Sequence, residues 1–140
     1  MKKNYKILAK YIKDMSSETP DAETYIFVKD NISKYQLNID INSKALKHKM
    51  IEINTIFKFE DKEEKRKKSY FEINFATIVR IDNKSIEKKQ LEKIILCDVQ
   101  VEIYSDLEKS FLDLVHNSGY PEVKLEKKIN PNHLEVCGRF

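Results

Sequence analysis

Apolar side chains recur at every second position in four stretches of the chain, the period of a strand with one buried and one wet face. The first runs from about Tyr5 to Lys13, with Tyr5, Ile7, Ala9 and Tyr11 apolar and Lys6, Lys10 and, just beyond, Asp14 charged. The second, about Lys34 to Asn42, sets Tyr35, Leu37, Ile39 and Ile41 against Gln36, Asn38 and Asp40. A third, about Met50 to Glu60, sets Ile51, Ile53, Thr55, Phe57 and Phe59 against Glu52, Asn54 and Lys58. In the fourth, about Ser69 to Asp82, Phe71, Ile73, Phe75, Thr77, Val79 and Ile81 alternate with Tyr70, Glu72, Asn74 and Arg80. Such clean alternation predicts an antiparallel sheet with one solvated face.

Beyond Ile81 the period lengthens towards 3.6. Lys84 to Leu96 carries Ile86, Leu91, Ile94 and Ile95 among charges, with Ser85 as a cap, which reads as a short helix. From about Asp98 to Asn117 a longer helix is predicted: Ile103, Leu107, Phe111 and Leu114 form a stripe, Tyr104, Leu112 and Val115 widen it, and Gly119 stands at the stop. That stripe exceeds what one sheet face needs. It predicts a helix held between its own sheet and a second copy, with Ile103, Tyr104, Leu107, Phe111, Leu114 and Val115 as interface residues. Asn130 and Pro131 offer a start for a final helix of about two turns. Strands first and helices afterwards is the α+β order, in a single domain over residues 1–140.

Composition narrows the chemistry more than the fold. The chain has 140 residues, enough for one core that buries roughly 70% of the unfolded surface. Its 26 basic and 23 acidic residues leave a net charge of +3 drawn from two large mixed populations, so no basic arm points to nucleic acid. The run Glu60 to Lys68 joins the third and fourth strands with no aromatic residue in it, a solvated hairpin tip before it is a nucleic-acid patch. Only Gly119 and Gly138 occur, which excludes a dinucleotide fingerprint and a P-loop and leaves the turns to Asn, Asp, Ser and Lys. Two cysteines, Cys97 and Cys137, are too few for a disulfide framework. The opening residues are interrupted by Asn4, Lys6, Lys10 and Lys13, so they fit neither a signal peptide nor a membrane span, and the cytoplasm is the expected compartment.

Three segments taken in order resemble the SecB protein-export chaperone family. They are YKILAKYIKDMSSETP at Tyr5 to Pro20, the strand SYFEINFATIVRI, and NSGYPEVKL at Asn117 to Leu125 directly after the long helix. The similarity extends from Tyr5 to Leu134. It implies a four-stranded antiparallel sheet with a long helix and a short second helix packed on one face. It also implies a holdase without enzymatic activity or cofactor: a homotetramer, built as a dimer of dimers, that binds unfolded polypeptide and passes it to the motor SecA. An extended client can be held by an apolar groove and strand-like hydrogen bonds, with avidity over several subunits.

Carried over by position, the resemblance assigns SecA docking to Asp14, Glu18, Tyr70 and Glu72, and client contact to Tyr5, whose alternative role is a strand-end core residue. The chain departs from the family where Asn31 replaces a tryptophan, where IYSDLEK at Ile103 to Lys109 replaces LFPYARE, and in its pI of about 8.7. Two other readings of the same residues are a SecB-like chaperone dedicated to an antitoxin and a nucleic-acid-binding oligomer using Lys62 to Lys68. Neither a metal site nor nucleophilic catalysis is expected. His133 and Cys137 offer two ligands where zinc needs four, and Ser105 or Cys97 with His116 lacks an evident orienting carboxylate and oxyanion donor. Cys97, between Leu96 and Val99, reads as an apolar contact.

Overall fold

In the computed structural model, which describes residues 4–62, 67–82 and 85–125, all four alternating stretches become strands of one antiparallel sheet. They are β1 (Tyr5–Glu18), β2 (Gln36–Ala45), β3 (Met50–Glu60) and β4 (Tyr70–Ile81), in the spatial order β1-β4-β3-β2. β3 and β4 are central, and each of the other two has one partner. The β2–β3 turn is made without glycine: His48 and Lys49 take positive φ angles of 61° and 63°, and Leu46 N–H closes it on the Met50 carbonyl at 2.8 Å.

β1 is longer than its alternation predicts, because the alternation is broken by two bulges. Register shifts fall between Ile7 and Ala9 and between Ile12 and Asp14 against β4. The first inverts the parity of the strand and the second restores it. Tyr5 and Ile7 therefore share the helix-covered face with their partners Ile81 and Val79, as expected. Ala9 and Tyr11 do not: they pair with Ile78 and Ala76 on the open face, while Lys10 and Ile12 turn to the helix side opposite Thr77 and Phe75. From Asp14 onward the original parity returns.

The helical region is one continuous element in place of two. α2 (Lys88–Lys93) runs through a π-helical turn (Ile94–Asp98) into α3 (Val99–Asn117). Asp98, expected as a start, lies at φ −64°, ψ −46° inside it. The stop is as predicted, and its hydrogen bonds explain why. Gly119 N–H donates to the His116 carbonyl at 3.2 Å and Tyr120 N–H to that of Val115 at 3.3 Å, the Schellman pattern, with Gly119 at φ 107°.

A further helix, α1 (Ala22–Asn31), lies where no periodicity announces one. Its run Tyr25, Ile26, Phe27, Val28 points apolar groups all round, so no stripe forms, and only Thr24 and Val28 are buried. The signal was local: Asp21 Oδ1 accepts from the Thr24 N–H at 2.7 Å as N-cap. The helix expected from Asn130 lies outside the described residues.

α3 covers one sheet face and builds the core with it. Phe111 meets Phe57 and Phe59 edge-on, with ring centres at 5.6 and 5.8 Å, and Thr55 Oγ1 donates to Gln100 Oε1 across the interface at 2.9 Å. Ile103, Leu107, Phe111 and Val115 are each no more than 1% exposed within the single subunit. These four are core residues, which corrects their placement at a subunit interface: the sheet itself uses the stripe. Tyr104 and Leu114, from the same set, remain half-buried.

Candidate functional site

The sheet face opposite α3 is open, and the register brings the four expected docking residues together on it. Glu18 pairs with Tyr70, Ser16 with Glu72 and Asp14 with Asn74, and paired residues share a face. Because Phe71, Ile73 and Phe75 point into the core, Tyr70, Glu72 and Asn74 point away from it. Asp14 and Glu18 are exposed and stand roughly 13 Å apart along the strand. Tyr70 Oη donates to Glu72 Oε1 at 2.5 Å, and Lys58 Nζ approaches the same carboxylate oxygen at 3.7 Å. Partial burial, reinforced by the Glu72 carboxylate, pushes the Tyr70 hydroxyl up to about 12, so it stays a hydrogen-bond donor at neutral pH.

Beside this patch lies a second polar cluster that sequence reasoning missed. Glu52 on β3 accepts from Lys13 at 2.7 Å, from Asn54 at 3.0 Å and from Tyr11 at 2.9 Å. Those hydrogen bonds, the one from Lys13 foremost, hold its carboxyl at about 2, and they raise Tyr11 and Lys13 above their ordinary values in return. Tyr11 reaches Glu52 only because the first bulge has turned it outward. No alternation pattern could have shown this.

β1 is also one of the two edges of the sheet. It carries Leu8, Tyr11, Ile12 and Met15 at 38–52% exposure, four of the six large exposed apolar side chains among the described residues. A long edge strand with apolar side chains is a surface for adding another strand. Its other end is fixed to α3: Tyr5 Oη donates to Glu102 Oε2 at 2.5 Å, and Lys10 Nζ is 2.6 Å from Asp106 Oδ2. Tyr5 is 7% exposed, so it occupies the core position that was the alternative to client contact.

A ladder of seven aromatic rings runs inward from α1: Tyr25, Tyr120, Phe71, Tyr35, Phe59, Phe111 and Phe57, neighbouring centres 5.2–6.3 Å apart. A hydroxyl network ties its middle, where Tyr35 Oη donates to the Ser69 carbonyl at 2.6 Å and Ser69 Oγ lies 2.8 Å from Tyr120 Oη. Elsewhere, a half-open apolar cleft of about 450 Å³ lies between the β2–β3 turn and α2, lined by Leu46, Met50, Ile51, Ile81, Ile86 and Leu91, with Ala45 and Lys49 at its margin.

Among the described residues no group of three or more His, Cys, Asp or Glu is placed to hold a metal ion. His116 is hydrogen-bonded to the Val123 carbonyl at 2.8 Å, and Ser105 lies eleven positions before it on α3, roughly 16 Å along the axis. Cys97 is fully buried; His133 and Cys137 lie outside the described residues. Of the lysines in the charged run, Lys67 is 3.5 Å from Asp21 and Lys68 donates to the Asp61 carbonyl, while residues 63–66 lie outside the described residues. No described helix is long and apolar enough to cross a membrane.

A four-stranded antiparallel sheet backed on one face by a long helix, with an open face and an apolar edge strand, is the fold of SecB-like chaperones. A SecB-like chaperone of Mycobacterium tuberculosis, in complex with a ChAD peptide from the HigA1 antitoxin, superposes with a TM-score of 0.62 over 91% of this chain and 93% of its own, at 11% identity. The family model for the preprotein translocase subunit SecB matches residues 1–134. A putative protein-export protein SecB of Pelagibacter ubique is 61% identical over 130 residues, 93% of each chain. The protein-export protein SecB of Methylocella silvestris is 21% identical over 85% of this chain and 73% of its own. The chain belongs to the SecB family. It is a protein-export chaperone of that family and not an enzyme.

Proposed function

We propose that this chain is a cytoplasmic holdase, assembled as a dimer of dimers, that binds unfolded preproteins and delivers them to SecA. The observation that carries this reading is the convergence of Asp14, Glu18, Tyr70 and Glu72 on one uncovered sheet face, from two strands distant in sequence. Two carboxylates on an exposed strand, beside a tyrosine hydrogen-bonded to a third, suit a partner that presents basic and polar groups.

Assembly is supported by two separate surfaces, which a dimer of dimers requires. One is the free edge of β1, with Leu8, Ile12 and Met15 exposed; the other is the outer side of α3, where Val101 is 45% exposed near Tyr104. Client binding draws on apolar surface and needs no nucleotide. The cleft of about 450 Å³ is a surface of the right chemistry.

One preparation tests the whole reading. The purified protein is sized, asked to delay refolding of a slow-folding precursor at near-stoichiometric ratio, and tested for SecA binding. Asp14→Lys, Glu18→Lys and Glu72→Lys together abolish SecA binding and leave the refolding delay intact. Unchanged SecA affinity in the triple variant would remove the docking assignment.

A further inference from the structure

The π-helical turn between α2 and α3 fixes where Cys97 sits. Val99, Ile103, Leu107, Phe111 and Val115 are buried at a spacing of four. Four positions before Val99 stands Ile95, which is half-buried; the stripe continues instead at Ile94, five positions before it and 4% exposed. The bond from the Val99 N–H to the Ile94 carbonyl accommodates the extra residue. The Ile95 carbonyl accepts from Gln100 Nε2 at 3.1 Å, and Gln100 Oε1 accepts in turn from Thr55 Oγ1 at 2.9 Å, so the turn is pinned to β3. Cys97 lies inside this turn at 0% exposure.

Its sulfur is not a free thiol, because Cys97 is disulfide-bonded. The chain has two cysteines, so the partner within the chain is Cys137. The burial of Cys97 is as the sequence predicts; its chemistry is not. Two cysteines make no framework, yet a bond between positions 97 and 137 closes a loop of about forty residues, long enough to restrict the unfolded chain substantially.

We propose that Cys97 and Cys137 form a redox-responsive cross-link between the C-terminal segment and the pinned turn, opened by thiols of the glutathione or thioredoxin class. A reductant thiolate attacks the Cys137 sulfur, since that of Cys97 is buried; the S–S bond breaks, and Cys97 leaves as a thiolate that takes up a proton. A second reductant thiol displaces Cys137 from the mixed disulfide, so two electrons pass to the protein and the reductant ends as its own disulfide. Closure reverses these steps with a small-molecule disulfide as oxidant. In the cytoplasm proposed for this chain such reductants predominate, which makes the bond a response to oxidation there. The cross-link itself depends on neither the client nor the docking assignment.

The test equilibrates the full-length protein in oxidised or in reduced glutathione, reads its melting temperature in each, and counts cysteines by alkylation after unfolding. In oxidised glutathione neither cysteine is alkylated, and the chain runs as a monomer on a non-reducing denaturing gel. In reduced glutathione both are alkylated, and the protein melts lower by about 10 °C. By linkage, the equilibrium constant for closing the bond is roughly 500-fold larger in the folded chain than in denaturant. Cys137→Ser melts in either buffer like the reduced parent. A folded parent with both cysteines alkylatable in oxidised glutathione, glutathione adducts on both, or covalent dimers would overturn the intrachain bond. Equal melting temperatures of the cross-linked and reduced parent would overturn its role as a tie.

Discussion

Replacement of Phe111 by alanine separates a core role for the α3 stripe from an interface role. Phe111 is 0% exposed and packs edge-on against Phe57 and Phe59 at 5.6 and 5.8 Å. Truncating a buried phenylalanine removes its transfer free energy and leaves a cavity between rigid rings, a loss of about 4 kcal/mol. A domain of 140 residues has about 10 kcal/mol to lose, so Phe111→Ala stays folded at 25 °C with a melting temperature lowered by roughly 10–15 °C. The assay is urea unfolding at two protein concentrations a hundredfold apart. Because the contacts are intramolecular, the stability difference between Phe111→Ala and the parent is the same at both. A difference below about 1 kcal/mol, or a variant of parental stability that sediments as a smaller species, would show the side chain acting between subunits and refute the core assignment.

Glu52 makes stability depend on acid. Its carboxyl is held at about 2 against an ordinary value of 4.5, so its stabilising contribution is complete above pH 4.5 and is lost as pH falls towards 2. Lys13 is 45% exposed, and with solvent screening the contribution is about 1 kcal/mol, well under what the shift alone implies. Glu52→Gln shows a flatter decline in melting temperature between pH 4.5 and 2 than the parent; an unchanged slope would count against the cluster. Asp21→Ala removes the N-cap of α1 and destabilises the protein by about 1 kcal/mol, read by urea unfolding at pH 7. No loss would mean that α1 is held by Val28 and Tyr25 alone.

Most of the sheet was legible because each strand except β1 keeps its period from end to end. Phe71, Ile73 and Phe75 point inward in the structure as their spacing requires. β1 was legible at its ends and misleading between them: Tyr11 and Lys10 exchange faces because Leu8 and Lys13 are extra residues in the pairing. Asp14 was placed correctly because two bulges cancel, which a strand read as regular gives by coincidence. α1 escaped because four consecutive apolar residues have no helical direction, although Asp21 and Thr24 marked its start. The α3 stripe was found, but its width was misassigned. A sequence records how much apolar surface a helix has and not which neighbour covers it, and here β3 and β4 supply large rings enough to bury Ile103, Leu107, Phe111 and Val115.

The two bulges also decide which side chains of β1 lie on each face of the sheet. Without them the odd positions of β1, Lys13 included, would all face α3, and the even positions, Leu8 and Ile12 included, would all face the open side. With them, the segment from Ala9 to Ile12 is inverted, so Tyr11 takes the open face and Lys10 and Ile12 the helix face, while Asp14 and Glu18 are returned to the open face. Tyr5–Glu102 and Lys10–Asp106 fix the first half of the strand to α3, and Lys13–Glu52 ties the middle across β4 to β3. An edge strand held on both faces keeps its register when a neighbour adds to it, because the added chain pairs with backbone groups these side chains leave untouched. The proposed docking on the open face and the proposed pairing at the edge would then draw on different atoms of the same fourteen residues. On the proposed function, that separation predicts that charge reversal at Asp14, Glu18 and Glu72 leaves assembly and client binding in place.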